Sequence, residues 1–441
     1  MEACEGEPRL FRLDDPSTLE FIQMLSRFRL FYGQIHGIVC LFLCIFGILF
    51  NILHVIVLTR EKMKTSAVNV VMVAIALADI GTMLSYLIYI LHFVINGQLS
   101  NGCTNLMSKF WMFFLLTHMF LSITLHSTTL WLAVFISFAR NMALKGARLN
   151  SKWQNPYLAQ KISVAIFAMV FIFSLPTLWV HEVVEYQHDV WSPPNTNHCQ
   201  ADAFPDNYTE KIYTLARTPN SHANGCRWFK ANLFLTAMIF KIIPCVLLIF
   251  LSSSLLIKLR DAEQKRRQLL LNGNSLMDST KRITSDRTTA LLLTILCIFL
   301  ITEFPQGVLS MLSAIYTGDI HNIVYFLCGD VLDLLSLINS AVNFLFYILM
   351  SSRYRHTFCV TILPNIAVRC TNEVDQPNSA PNFLTNTDFP SRIRNGDINM
   401  NSLPVMSIGR RRSSPGFRLV REQPIDSTPM MPLSARPSRV F

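Results

Sequence analysis

The chain has 441 residues, of which 51% are hydrophobic and only 15% are charged. Soluble domains carry about 25% charged residues, so this balance excludes an ordinary soluble protein and predicts an all-α membrane protein. The net charge of +10 would also suit nucleic-acid binding, but Lys and Arg cluster beside apolar stretches, as they do in the cytoplasmic loops of membrane proteins. We therefore predict contact with a lipid bilayer and none with nucleic acid.

Seven apolar segments are each long enough to cross the hydrocarbon core, which takes about 20 residues. Basic residues follow the first, third, fifth and seventh segments, and the positive-inside rule makes their side cytoplasmic. The N-terminus is then extracellular and the C-terminus cytoplasmic. Residues 1–30 lack the pattern of a cleavable signal peptide, so we expect the first span to direct its own insertion. The predicted spans are 37–59, 68–95, 109–142, 159–181, 230–258, 287–314 and 322–350.

The rest of the chain divides by composition. An extracellular N-terminal segment, 1–36, precedes the seven-transmembrane domain, 37–350. Residues 351–362 mix basic and apolar side chains, which predicts a short amphipathic helix at the interface. Residues 363–441 are rich in Pro, Asn, Ser and Arg and have no apolar period, so we predict a disordered cytoplasmic tail.

The loop 182–229 is acidic and contains the sequon Asn207-Tyr208-Thr209, which predicts glycosylation of Asn207. Cysteines on the outer side lie in oxidising surroundings, where disulfides form. Cys103 precedes the third helix, and a bridge to Cys199 or to Cys226 would tie that helix to the loop. The sequence does not choose between these two pairings.

Charged residues inside spans mark a candidate site. Glu303 lies in the sixth span, and a carboxylate in hydrocarbon costs at least a few kcal/mol, so we expect it to face the bundle interior. Asp330 and Asp333 are three residues apart and share a face of the seventh helix. An acidic pocket open to the outside favours a cation, such as an Arg side chain or an amine. Alternatively, Asp330 merely flanks a helix end. The predicted ligand-binding residues are Glu303, Asp333, Gln306, His126 and Asp330.

A second polar group lies deeper. Asp79 stands in the middle of the second span, and buried polar groups need partners. One interpretation is a hydrated cluster that holds a sodium ion at Asp79; the other is structural hydrogen bonding between helices, worth about 0.6 kcal/mol per bond. The chain has no phosphate-binding Gly loop, metal-ligand spacing or nucleophile arrangement, so we predict neither an enzyme nor a cofactor. The predicted polar core is Asp79, Asn51, Asn339 and Ser340.

Together, these features resemble the rhodopsin-like (class A) G-protein-coupled receptors over residues 37–362. The resemblance rests also on Arg140, Pro244, Pro305 and the run from Asn343 to Tyr347. The finer pattern is similar to the myosuppressin and FMRFamide-like peptide receptors of invertebrates. The residues that carry it are Asn51-Ile52-Leu53-His54, Val57-Leu58-Thr59-Arg60, Leu130-Trp131-Leu132-Ala133-Val134, Lys241-Ile242-Ile243-Pro244-Cys245 and Leu300-Ile301-Thr302-Glu303-Phe304-Pro305-Gln306-Gly307.

The resemblance implies a plasma-membrane receptor that binds an extracellular amidated neuropeptide and activates a heterotrimeric G protein. It also implies arrestin and kinases as partners of the tail. The implied switch residues are Arg140, Asn343, Tyr347 and Pro305.

The chain departs from the family pattern in three places. Ala139-Arg140-Asn141 lacks the usual acidic residue, Phe344 replaces a usual Pro, and Glu303 replaces a usual Trp. Two other functions stay open. One is a chemosensory seven-transmembrane receptor for a small molecule. The weaker is a transporter, against which the spans show no internal repeat and no paired broken helices.

Overall fold

The computed structural model describes residues 4, 9–12, 14–100, 102–143, 153–193, 199, 205, 208–271 and 298–362. Three predictions therefore lie outside the described residues: the glycosylation of Asn207, the disordered tail 363–441 and the start of the sixth span, 287–297.

The described residues form seven helices that are long and apolar enough to cross a membrane, as predicted. An eighth helix, α8 (Ser352–Ile362), follows in the segment where a short helix was predicted. The spanning helices are α1 (Pro16–Leu58), α2 (Ala67–Leu99), α3 (Lys109–Met142), α4 (Pro156–Val180), α5 (Ala223–Lys258), α6 (Ile298–Ile315) and α7 (Thr317–Leu349).

Helix α1 begins at Pro16 rather than at residue 37, so it is longer than the predicted span. Proline suits this first position because its missing N–H would be unpaired there anyway. At 1.5 Å per residue, its 43 residues extend about 65 Å, roughly twice the thickness of the hydrocarbon core. Much of the segment predicted as an extracellular N-terminus is therefore helical, and α1 is longer than one crossing requires.

The acidic loop contains a β-hairpin that the sequence analysis did not predict. Strand β1 (His181–Trp191) pairs antiparallel with β2 (Glu210–Arg217), from His181 opposite Arg217 to Trp191 opposite Glu210, with a register shift between Glu185 and Val190. β-branched and aromatic residues are frequent in both strands, which suits a half-buried sheet. This end of the bundle is called the hairpin end below.

The opposite end, called the α8 end, is closed by a hydrophobic cluster of α1, α2, α3, α4, α7 and α8. Tyr354 of α8 is fully buried, and its hydroxyl lies 2.9 Å from His54 Nδ1 of α1. Phe344 stacks on Phe50 with ring centroids 5.2 Å apart, so the side chain that replaces the usual Pro packs α7 against α1.

Gly47 of α1 packs closely against α2. A Cβ placed there would lie 2.4 Å from Met83 Sδ. Small residues allow such close backbone approach between helices in a membrane. The contact brings Asn51, one turn further along α1, towards the polar core.

Candidate functional site

Glu303 is fully buried in the centre of the bundle, and three other helices supply its partners. Lys241 Nζ of α5 donates to Glu303 Oε2 at 2.7 Å. His126 Nε2 of α3 lies 3.0 Å from both carboxylate oxygens. Asn339 Nδ2 of α7 donates to Oε1 at 3.3 Å. The carboxylate is therefore the centre of an ion-pair network that joins α3, α5, α6 and α7.

This geometry corrects the prediction that Glu303 faces an open pocket and awaits a cation. Lys241 already neutralises it, and no part of Glu303 is exposed. Lys241 lies in the π-helical turn Thr236–Ile242 of α5, and such turns are frequent at functional sites. A signal was available in the sequence, since a Lys inside a span is as unusual as a Glu.

Gln306, one turn along α6 from Glu303, extends the network. Its Oε1 accepts hydrogen bonds from Lys241 Nζ at 3.1 Å and from Ser336 Oγ at 3.2 Å. Its Nε2 donates to the carbonyl oxygens of Thr302 and Leu332. Of the predicted ligand-binding residues, Glu303, Gln306 and His126 thus lie together.

The two aspartates of α7 lie outside this network and close to each other, one helical turn apart. Asp333 Oδ2 accepts a hydrogen bond of 2.8 Å from the hydroxyl of Tyr86 in α2. Asp330 lines a cavity of about 450 Å³ with Arg29 and Gly33 of α1. Among the described residues, no Lys, Arg or His lies within salt-bridge distance of Asp333. The carboxylates therefore have different surroundings: Glu303 is fully buried and paired with Lys241, whereas Asp333 is exposed, bonded to Tyr86 and without a described cation.

Aromatic rings surround Asp333 on the α2 and α3 side, a feature that the sequence analysis missed. Tyr86 contacts both Tyr89 and His118, and His118 stacks on Tyr89 with centroids 5.2 Å apart. His118 Nδ1 also lies 3.2 Å from Ser85 Oγ. Helical spacing of aromatic residues alone predicts core packing, so the sequence held no specific signal for this wall.

The deeper polar core forms around Asp79, but without Asn339, which belongs to the Glu303 network. Asn343 Nδ2 donates to Asp79 Oδ2 at 2.8 Å, and Asn51 Nδ2 donates to the carbonyl oxygen of Ser340 at 3.2 Å. Three buried oxygens lack hydrogen-bond partners: Asp79 Oδ1, Asn51 Oδ1 and Ser340 Oγ.

These oxygens fit a monovalent cation. An unpaired buried oxygen costs about 1–3 kcal/mol, which a bound ion or water would offset. Hard cations take oxygen ligands, and a single carboxylate among neutral oxygens matches one positive charge. No cluster of three His, Cys, Asp or Glu side chains able to hold a metal occurs in the described part of the chain.

At the α8 end, Asn141 joins α3 to α5. Its Nδ2 donates to the carbonyl oxygen of Leu251, and its Oδ1 accepts from Ser254 Oγ at 3.2 Å and Lys258 Nζ at 2.8 Å. Asn141, the last residue of the unusual triplet Ala139-Arg140-Asn141, therefore links α3 to α5. Nearby, the Tyr347 hydroxyl donates to Asn69 Oδ1 at 3.0 Å.

The hairpin is attached to the segment before α3. A disulfide joins Cys103 to Cys199, which settles the pairing that the sequence left open. Tyr213 N–H donates to the carbonyl oxygen of Met107 at 2.9 Å, and Asn105 Nδ2 donates to Glu210 Oε2 at 2.9 Å. Hydrogen bonds from Tyr208 and then Asn105 hold the pKa of the Glu210 carboxyl below its ordinary value.

Described residues of the N-terminal segment contact α5 and α7 at the hairpin end. Cys226, the alternative partner considered for Cys103, is instead bonded to Cys4. The backbone N–H groups of Leu10 and Phe11 donate to Asp319 Oδ2 at 2.5 and 2.9 Å. Both disulfides thus lie at this end of the bundle.

Comparison with known proteins gives a consistent family. The family model described as "Serpentine type 7TM GPCR chemoreceptor Srw" matches residues 34–363. The G-protein coupled receptor dmsr-1 of Caenorhabditis elegans is 28% identical over 437 residues, covering 90% of this chain and 82% of that protein. Sex peptide receptor-related protein 2 of the same organism is 22% identical, covering 82% and 78%. The sex peptide receptor of Drosophila melanogaster is 22% identical, covering 74% and 71%.

Proposed function

The chain belongs to the serpentine seven-transmembrane G-protein-coupled receptors of the Srw family, and from that premise we propose that it is a plasma-membrane receptor for an extracellular amidated neuropeptide. Members of this family are signalling receptors, so the chain is not an enzyme. Two of the relatives are named for the sex peptide, which supports a peptide ligand.

The proposed orientation places the hairpin end outside and the α8 end in the cytoplasm. Both disulfides lie at the hairpin end, and disulfides persist in oxidising surroundings. The basic loop between α1 and α2 lies at the opposite end, where Arg353 of α8 donates to the carbonyl oxygen of Lys62. Positive charge on that side favours the cytoplasm.

Within the bundle, Asp333 is the best candidate for the basic group of a peptide that ends in Arg-Phe. Glu303 is unsuitable because Lys241 would first have to be displaced. A guanidinium beside Asp333 would provide the missing cation. The following Phe ring would contact the aromatic wall of Tyr86, Tyr89 and His118.

Replacing Asp333 by Asn is expected to raise the half-maximal peptide dose by about tenfold to a hundredfold, because a charged hydrogen bond is worth about 1.5–3 kcal/mol. The measurement is a G-protein activation assay over a library of amidated peptides, corrected for surface display. Asp330→Asn makes the same change of charge one turn away on α7 and is the matched control, since the hydrogen bond from Tyr86 is to Asp333.

A peptide with citrulline in place of Arg makes the test specific. It should lose potency on the unmodified receptor and lose little more on the Asp333→Asn variant. Equal additional losses on both receptors would place the guanidinium elsewhere. If small organic molecules activate the receptor and no peptide does, the chemoreceptor function in the family's description is the correct one.

Ligand binding would act by shifting a conformational equilibrium, because only a difference in affinity between two states moves a population. The Glu303 network joins four helices and lies one turn from the proposed peptide site. Arg140, Asn343 and Tyr347 would rearrange at the cytoplasmic end, where the G protein binds. Arrestin and kinases would act on the tail 363–441.

Ala139→Asp is expected to lower ligand-independent signalling about fivefold. A carboxylate beside Arg140 restores the usual local partner and stabilises the resting state by about 1 kcal/mol. Basal G-protein activation per displayed receptor measures the effect, with Ala139→Asn as an uncharged control because Ala139 is buried. Equal basal signalling in all three proteins would show that Arg140 is restrained by another group.

Sodium is expected to stabilise the receptor through the Asp79 site. At roughly ten times its dissociation constant, a bound ion adds about 1.4 kcal/mol to the free energy of unfolding. The thermal midpoint should therefore be higher in sodium than in potassium at equal ionic strength, and Asp79→Asn should abolish the difference. A sodium effect that persists in Asp79→Asn would exclude this site.

A further inference from the structure

A groove of about 570 Å³ lies between α2, α3 and α4, and none of its lining residues belongs to the Glu303 network. Its rim is exposed: Leu77 is 56% and Val164 63% accessible, although both lie within membrane-spanning helices. In a bilayer such a surface faces hydrocarbon. Its occupant must therefore come from the membrane.

The interior of the groove offers no free hydroxyl group to a ligand. Three lining residues carry hydroxyls, and each donates back into its own helix. Thr59 bonds the carbonyl oxygen of Val55, Thr128 that of Thr124, and Ser163 that of Ala159. Because these three hydroxyl groups are already hydrogen-bonded, the remaining lining is apolar and suits a hydrocarbon chain.

The polar groups of the groove lie towards its α8 end. Lys64, in the loop between α1 and α2, is the charged residue of the lining, and Gln160 is its other long polar side chain. No carboxylate within the described part of the chain lies within salt-bridge distance of Lys64. A negatively charged headgroup at this end would complement the lysine, since each Lys near a membrane surface contributes about 1 kcal/mol towards anionic lipid.

The length of the groove matches one leaflet. It extends along α2 from Val70 to Ala78, a rise of about 12 Å, and Lys64 lies beyond Val70 at the α8 end. Half of the hydrocarbon core is about 15 Å. A chain that begins at the Lys64 boundary therefore ends near the bilayer centre, beside Leu125 and Thr128 of α3.

We propose that this groove binds one anionic glycerophospholipid of the leaflet at the α8 end, with its headgroup at Lys64 and an acyl chain packed against α3. The bound chain would fix the spacing of α2, α3 and α4 next to Asp79, which adjoins Ala78. The proposal depends on the membrane-spanning fold and not on the identity of the receptor's ligand.

The test uses the full chain in nanodiscs of phosphatidylcholine, with and without phosphatidylserine in both leaflets. Native mass spectrometry counts retained phospholipids, and the thermal midpoint measures stabilisation. Lys64→Gln should reduce retained phosphatidylserine about fivefold and remove most of its stabilising effect. Lys62→Gln removes the same charge from the same loop but does not line the groove, so it should behave as the unmodified receptor.

A second pair of variants tests the apolar part. Ala74→Phe fills the groove and should abolish retention of phospholipid, whereas Val246→Phe, on an exposed face of α5, should not. If Ala74→Phe fails to fold, the two lysine variants still decide the proposal. Equal losses in Lys64→Gln and Lys62→Gln would overturn it, as would a sterol found in place of the phospholipid.

Discussion

Replacing Glu303 by Gln is expected to destabilise the folded receptor by about 3–5 kcal/mol, because it leaves Lys241 as a nearly buried charge without its partner. Surface display should fall and the thermal midpoint of detergent-solubilised protein should drop. From the sequence alone, the same substitution predicts a lost ligand response with normal display. Because Glu303 is paired with Lys241, we expect the loss of stability to exceed any direct effect on the ligand response.

The double variant Glu303→Gln/Lys241→Met provides the control. Replacing both members of a buried ion pair by neutral groups is often close to neutral for stability. Display and thermal midpoint should therefore recover towards those of the unmodified receptor, which gives a large coupling energy in a double-mutant cycle. If Glu303→Gln alone is displayed normally, or if the double variant is no better than the single, then the two charges do not stabilise each other.

The recovered double variant also separates stability from signalling. Its bundle lacks the charges that join α5 to α6, while His126 and Asn339 remain in place. We expect a normal number of displayed receptors with a changed ratio of basal to stimulated G-protein activation. An unchanged ratio would mean that the network only holds the bundle together.

The spanning helices follow from the sequence because the bilayer demands a fixed length of apolar residues, and this demand is local. The start of α1 was not predictable in this way. Residues 16–36 are helical in addition to the length that one crossing requires, so a rule based on membrane thickness does not predict them. The hairpin was missed for a different reason, since acidic residues within His181–Trp191 suggested a solvated loop despite its β-branched and aromatic content.

The candidate site was predictable in its residues but not in their pairing. A carboxylate inside an apolar span identifies Glu303 as a candidate site residue from the sequence. Its cationic partner, Lys241, lies on another helix, and helix packing alone brings the two together. The polar core shows the same limit. Asn339 and Ser340 are adjacent, yet the side chain of Asn339 donates to Glu303 while the backbone carbonyl of Ser340 accepts from Asn51, so the two residues serve different groups.

Removing the Cys103–Cys199 bridge is expected to cost about 2–4 kcal/mol of stability and to abolish most of the peptide response. The double variant Cys103→Ser/Cys199→Ser avoids a free thiol that would pair wrongly. Hydrogen bonds such as that from Tyr213 to Met107 remain, but they must then hold the hairpin over the bundle unaided. Dose–response curves corrected for display measure the loss.

The second bridge supplies the comparison that makes this prediction specific. The Cys4–Cys226 bridge closes a loop of 222 residues, and the Cys103–Cys199 bridge a loop of 96. Because the stabilisation from loop closure grows only slowly with loop length, the two bridges should stabilise the fold to within about 1 kcal/mol of each other. Cys4→Ser/Cys226→Ser should therefore lower the thermal midpoint by a similar amount. Its peptide response should be better preserved, because the hairpin stays bonded to the start of α3 and Asp319 still holds the N-terminal segment. If both variants lose the peptide response equally, the hairpin has no special part in ligand binding, and general stability of the hairpin end explains both losses.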